Sequence, residues 1–256
     1  MYKFVFLLAV ICTSFTAQAA QAAQAAQPLR YNVNASSGWV PYYIPNQSEQ
    51  PGILGELVPM IMAKAQVPIE KHNYPPKRTN QALETGLLDF DVVSPDWFEN
   101  HDIGAKFVKS IAILPIKEYI ICRTENAAYW QDLAKIKGQD IGTVRGYLYH
   151  DDDTFNRVDF TSERELVKAI DKKRVNLAIS GDLPALYWAN ELGINIALAG
   201  IHSDGKLVLR IRKEHHALLP QVNLAISQLS QDGTIEALIE KYTGSAHFNK
   251  AEVIAQ

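Results

Sequence analysis

The sequence predicts an α/β protein built as two lobes. Three observations carry this reading. A helix followed by a buried strand occurs between Arg78 and Trp97 and again between Ser162 and Asp182. Each strand runs out into small polar residues, Ser94-Pro95-Asp96-Trp97 in one case and Ser180-Gly181-Asp182 in the other. The chain then closes on an amphipathic helical hairpin. In open α/β sheets ligands bind beyond the carboxyl ends of strands, so each unit marks one rim of a candidate site.

The first elements belong to a leader. Lys3, the apolar run FVFLLAVICTSF and the small residues Ala17-Gln18-Ala19 read as a secretory signal with its cleavage point, followed by the low-complexity QAAQAAQAAQ of residues 18–27. The apolar run is too short to remain as a membrane span, and no later segment approaches about 18 uncharged apolar residues, so the mature chain is expected to be soluble. Residues 1–27 are set apart from the fold, which is expected to begin near Pro28. Cys12 ends the apolar run, but Val10 and Ile11 stand where lipoprotein processing favours a small residue, so lipidation is not favoured. Cys122 is then the sole mature cysteine, expected as a buried apolar thiol with no disulfide partner.

A strand near Leu29 to Val33 leads into an aromatic loop, a helix from about Leu54 to Ala65 and a strand near Ile69 to Tyr74. The first repeated unit is a helix capped by Thr79 and closed by Gly86, then a strand from Leu87 to Val93. Asp140 to Val144 reads as a strand, followed by Arg145-Gly146-Tyr147. In the second unit Ser162 and Glu165 form a capping box. Leu166, Val167, Ala169 and Ile170 line one helix face, and Val175 to Ile179 make the strand. In the closing hairpin Val222, Ala225, Ile226 and Leu229 keep helical spacing. Asp232-Gly233 breaks it, and Thr234 is placed to cap a helix with Ile235, Leu238, Ile239 and Tyr242 on one face.

The hairpin wording AISQLSQDGTIEALIEKYTG closely resembles the C-terminal signature of bacterial extracellular solute-binding proteins of family 3, the amino-acid-type periplasmic receptors. ALETGLLDFDVVS and VNLAISGDLPALYW extend the likeness over nearly all of the mature chain. The resemblance implies the type II periplasmic-binding-protein fold, with each lobe a mixed sheet flanked by helices and a two-strand hinge between them. It places residues 28–116 in lobe 1 and 117–205 in lobe 2, with 206–256 returning to lobe 1 and ending in the C-terminal helices. Ile111 to Cys122 and Lys206 to Ile211 would carry the chain between lobes. It also implies a monomeric periplasmic protein that closes on a small ligand and serves an ABC permease, or a receptor acting on a membrane signalling protein.

A small polar ligand in such a cleft needs an aromatic surface, a charged clamp and hydrogen-bonding groups at strand ends. Trp39, Tyr42 and Tyr43 in GWVPYYIP, with Trp97 and Tyr147, supply aromatics suited to stacking or a cation-π contact. Family members commonly carry Thr-x-x-Arg at the first strand end, where the arginine grips a ligand carboxylate. Ser94 and Trp97 stand there in this chain, which removes charged hydrogen bonds of roughly 1.5 to 3 kcal/mol each. Arg78, before a helix, and Arg145, followed by Gly146, are the candidate substitutes. Asp182 matches the family's acidic residue that receives the ligand amine. A zwitterion would use an arginine and Asp182, and a pure cation would use Asp182 and the aromatics.

Other chemistry finds little support. A calcium loop begun at Asp151 would put Asn156 where glycine is needed and Ser162 where glutamate is needed, so His150-Asp151-Asp152-Asp153 reads as a solvated acidic loop. His215-His216 lack the spacing that aims two imidazoles at one ion. No metal or cofactor is expected. GxSxG, HExxH and P-loop motifs are absent. A dehydratase of this fold would have Glu99, His101 and Asp182 to draw on, but none is distinctive, and the expected protein is not an enzyme. A net charge of −3 without a basic run argues against nucleic acid as a partner.

Overall fold

The computed structural model describes residues 27–33 and 38–244. The expected signal sequence, Cys12 and the leader as far as residue 26 lie outside the described residues. In chain order the elements are β1 (Leu29–Asn32), α1 (Ile53–Lys64), β2 (Ile69–His72), α2 (Pro76–Thr85), β3 (Phe90–Val93), β4 (Phe107–Lys109), β5 (Leu114–Cys122), α3 (Ala127–Trp130), β6 (Asp140–Val144), β7 (Asn156–Phe160), α4 (Glu163–Asp171), β8 (Leu177–Gly181), α5 (Asp182–Leu192), β9 (Ala197–Arg212), α6 (Leu219–Gln231) and α7 (Thr234–Thr243).

The strands follow the order β2-β1-β3-β9-β5-β8-β6-β7, with β4 also paired to β9. β1 is parallel to β2 and β3, and β6 is parallel to β7 and β8. Between these parallel ends lie antiparallel pairings of β9 with β3 and β5, and of β5 with β8. β9, at 16 residues, runs through both halves. Its ladder with β5 shifts register beside Glu118 and again after Tyr119, the sort of irregularity that bends a strand and re-aims its side chains.

Each half of the sheet has its own core. At the β1 end, Leu54, Leu57, Ile61 and Met62 of α1 pack with Tyr31, Phe90 and Leu209 of the strands and with Val222, Ile226 and Ile235 of the closing hairpin. At the other end, Leu166, Val167 and Ile170 of α4 pack with Val144 and Ala178, while Trp130, Ile141, Leu177 and Ile179 fill the opposite side of that sheet. The expected faces of α4, α6 and α7 are the buried ones. Cys122 is fully buried, and burial pushes its thiol up to about 11.

Four local expectations are corrected. Thr79 is not a cap: α2 opens three residues earlier on Pro76, and the Thr79 hydroxyl donates to the Pro75 carbonyl at 3.2 Å. Thr234 is the first residue of α7 rather than its cap, and its N–H donates to Asp232 Oδ1 at 3.1 Å. Only one arm of the capping box forms, from Glu165 N–H to Ser162 Oγ at 3.4 Å, because the Glu165 carboxylate pairs with Lys168 at 2.9 Å. The strand expected at Val175 to Ile179 lies two residues later, which takes Ser180 and Gly181 into β8 and makes Asp182 the first residue of α5.

Candidate functional site

The parallel pairs β1/β3 and β6/β8 direct their carboxyl ends toward one cleft of about 680 Å³, part of it open to solvent. Asn32 closes β1, Asp91 to Val93 come from β3, Glu118 from β5, and Gly146 to Leu148 follow β6. Pro76, Thr79 and Asn80 of α2 form a further wall, and Trp39, Tyr43 and Trp97 line it with rings.

The aromatic group is one packed unit. The Trp39 ring lies 4.5 Å from Tyr42, 6.2 Å from Tyr43 and 6.0 Å edge-on from Trp97. Tyr43 Oη and Trp97 Nε1 are buried without a hydrogen-bond partner among the described residues. Buried donors of this kind are costly unless something meets them, so both stand ready for an acceptor brought by a ligand.

The charged side chains that line the cleft are both carboxylates. Asp91 is neutralised from behind: Arg210 Nε and Nη2 donate to its two oxygens at 2.9 and 2.7 Å, with the guanidinium stacked 4.8 Å from Phe107. Glu118 is 6% exposed and accepts from Ser203 Oγ at 2.8 Å, with no guanidinium or ammonium bonded to it. A cation entering the cleft would meet Glu118, whose carboxylate also lies 3.9 Å from His202 Nδ1.

The two faces approach closely at the cleft mouth. Asn80 Nδ2 donates to the Gly146 carbonyl at 3.0 Å. Gly146 has φ +84°, and a Cβ there would sit 2.4 Å from the Lys77 backbone nitrogen, so this approach requires glycine. On another side Trp188 Nε1 donates to the Gly38 carbonyl.

Of the residues expected from sequence, Trp39, Tyr43, Trp97, Gly146 and Tyr147 meet in the cleft. Tyr42 and Ser94 do not line it. Tyr42 is packed behind Trp39, where burial, with Asp182 and Glu118 nearby, raises its phenol strongly. Ser94 is buried and donates to Asp96 Oδ2 at 3.0 Å. Neither candidate arginine lines the cleft: Arg78 is exposed over the Tyr74 ring, and Arg145 is exposed beyond β6. Asp182 also lies outside the lining, where burial raises its carboxyl and the Leu183 N–H donates to it at 2.7 Å. Asn32, Thr79, Asn80, Asp91 and Glu118 were missed as cleft residues. The available signal for two of them was a carboxylate inside an apolar strand, in FDVV and LPIKEYIIC.

The acidic run after β6 is also more engaged than a solvated loop. Asp152 accepts from Arg157 Nη1 at 3.0 and 2.9 Å, and Asp151 Oδ1 lies 2.9 Å from His202 Nε2. His215 lies 3.3 Å from Asp89 Oδ1.

Two α/β halves linked through a long shared strand, with a cleft at opposed strand ends, define a ligand-binding protein of the type II periplasmic class. The chain belongs to the bacterial extracellular solute-binding proteins, family 3, whose sequence profile matches residues 31–245. No curated protein sequence matches it. Among solved structures it is similar in fold to a histidine kinase sensor domain with similarity to periplasmic binding proteins, at TM-score 0.71 and 16% identity over 85% of this chain and 96% of that one. It is similar at TM-score 0.67 and 17% identity to an amino acid ABC transporter substrate-binding protein from Streptococcus pneumoniae bound to L-arginine, over 87% and 97% of the two chains. A mutant of ArgBP from T. maritima gives TM-score 0.67 and 16% identity over 85% and 95%. The family and these neighbours are binding proteins rather than enzymes.

Proposed function

We propose that the protein is a periplasmic receptor that captures a small amine-bearing polar compound, amino-acid-like, and presents it to an ABC permease without covalent chemistry. The observation that carries this reading is the charge of the cleft: Asp91 is matched by Arg210, whereas Glu118, with only the His202 imidazole at 3.9 Å, is placed to receive an ammonium beside the rings of Trp39, Tyr43 and Trp97. A ligand carboxylate, where present, would accept from Tyr43 Oη and Trp97 Nε1 in place of the family arginine. The receptor would reach the periplasm through residues 1–27 and act as a monomer. Lobe 1 would comprise residues 28–116 and the return from 206, lobe 2 residues 117–205, closing on the ligand because the closed state binds it more tightly.

A thermal-shift screen of the mature protein with amino acids, polyamines and their deaminated analogues, followed by calorimetry, tests this. Amine-bearing compounds should raise the melting temperature, and Glu118→Gln should weaken the best of them about tenfold or more. Preference for the deaminated analogues, or equal affinity in Glu118→Gln, would reject the proposed role of the cleft carboxylate. A second reading, a receptor acting on a membrane signalling protein, draws support from the likeness in fold to a kinase sensor domain. Pull-down of a permease, or of a signalling protein, by the liganded form separates the two.

A further inference from the structure

Beside the cleft, the turn after β6 meets β9 in a cluster unlike any other among the described residues. His150, Asp151 and His202 each offer a ligand atom, and these atoms all lie within 4.8 Å of one another. We propose that His150, Asp151 and His202 form a binding site for a divalent transition-metal ion of the zinc type, which fastens the cleft-lining turn to β9.

The donor set fits that class. Two imidazoles and one carboxylate suit zinc, whereas calcium takes six to eight oxygens and magnesium a near-octahedral oxygen shell. A tetrahedral zinc site places neighbouring donors about 3.3 Å apart at bonds of about 2.0 Å, so donors that lie within 4.8 Å of one another would draw inward on an ion, with water completing the shell.

A second observation points the same way. The His202 side chain is 1% exposed, and Nδ1 of His202 and Nδ1 of His150 are both buried without a hydrogen-bond partner. The two rings stand 4.7 Å apart and 36° from parallel. A shared cation would give the His150 ring a partner beside His202 Nε2 and Asp151 Oδ1, which already lie 2.9 Å apart. The surroundings resemble an outer shell. Glu118 Oε2 lies 3.9 Å from His202 Nδ1, on the far side of the ring from Asp151, and is itself held by Ser203. The turn is fixed independently by Arg157, whose Nη1 and Nη2 donate to the Tyr147 and Val144 carbonyls at 3.0 and 3.1 Å while Nη1 also binds Asp152. Ligands on a braced turn and a central strand are held ready for an ion.

The test uses the mature chain without a polyhistidine tag, stripped with chelator and dialysed. Zinc is titrated by calorimetry, and cobalt(II) is followed by its visible absorption. The expected result is one ion per chain with a Kd of about 1 µM or tighter. His150→Gln and Asp151→Asn should each weaken it about tenfold or more, while His216→Ala should bind as the native chain does. His150 is only half buried, so the His150→Gln variant decides the matter should a change at buried His202 impair folding. Absence of binding at about 100 µM zinc, or equal affinity in both His150→Gln and Asp151→Asn, would overturn the proposal.

Discussion

The indole N–H of Trp188 donates to the backbone carbonyl of Gly38 at 2.7 Å, joining α5 to the turn that carries Trp39 across 150 residues of sequence. The bond joins Trp188, packed against one core, to the residue before Trp39 in the other, so in the proposed hinge closure it would hold the halves together rather than support either core. Trp188→Phe removes the donor and keeps most of the ring. One net hydrogen bond of about 0.5 to 1.5 kcal/mol corresponds to a two- to tenfold loss of ligand affinity, with folding stability little changed. Calorimetry beside urea unfolding measures both, and a stability loss without an affinity loss would contradict this assignment.

Gly146→Ala should act on the same closure from the other side. The new methyl would meet the Lys77 backbone, and alanine at φ +84° adds strain of about 1 kcal/mol. The expected outcome is affinity lowered more than about tenfold and a small-angle scattering profile that stays open when ligand is added. A liganded profile identical to that of the native protein would show that the contact tolerates a side chain.

Arg210→Met should strip Asp91 of its partner and leave a buried charge unmatched, a change that costs about 3 to 5 kcal/mol. Adding Asp91→Leu should recover much of that loss. Urea denaturation of the two single variants and the double variant gives the coupling directly, and additive losses would deny it.

Glu163 supplies a pH dependence. Burial pushes its carboxyl up to about 8, despite the hydrogen bond from Ser180 Oγ at 2.6 Å, and nearby Glu118 raises it further. The folded state therefore keeps a proton that the unfolded chain releases near pH 4.5. Between these values the folded state binds more protons, so this group's contribution to stability falls as pH rises from about 4.5 to about 8, with a slope of at most about 1.4 kcal/mol per pH unit. Glu163→Gln keeps a polar partner for Ser180 and should flatten that part of the profile. Parallel stability curves for native and variant proteins from pH 5 to 8 would refute the protonated carboxyl.

The elements readable from the sequence were those whose own side chains decide their burial. The faces of α4, α6 and α7 and the strand at Asp140 to Val144 follow from local apolar spacing. The full length of β9 was not readable. Its first half, ALAGIHSDG, carries polar and glycine residues that resemble a loop, and it is a strand because β5 offers it a ladder. The same limit applied to the cleft. Aromatics beside Gly and Pro announced themselves, whereas Glu118 and Asp91 became cleft residues only through strands that bring them there. Arg78 and Arg145 do not line the cleft; a charged residue next to a strand end reads alike in sequence whether it faces the cleft or, as Arg145 does, the solvent. His202 stands 51 residues from Asp151, and no spacing rule joins them.

β3 finds its antiparallel neighbour only in Val208 to Ile211 of β9. During synthesis the β1–β3 ladder therefore has an unpaired edge until more than a hundred further residues have been made, and that edge is Phe90 to Val93, an apolar strand open to pairing with other chains. The first half of the sheet is thus among the last parts to be completed. A chaperone that shields Phe90 to Val93 during this interval should raise the yield of folded protein more than one acting on the later strands β6 to β8, whose partners lie close in sequence.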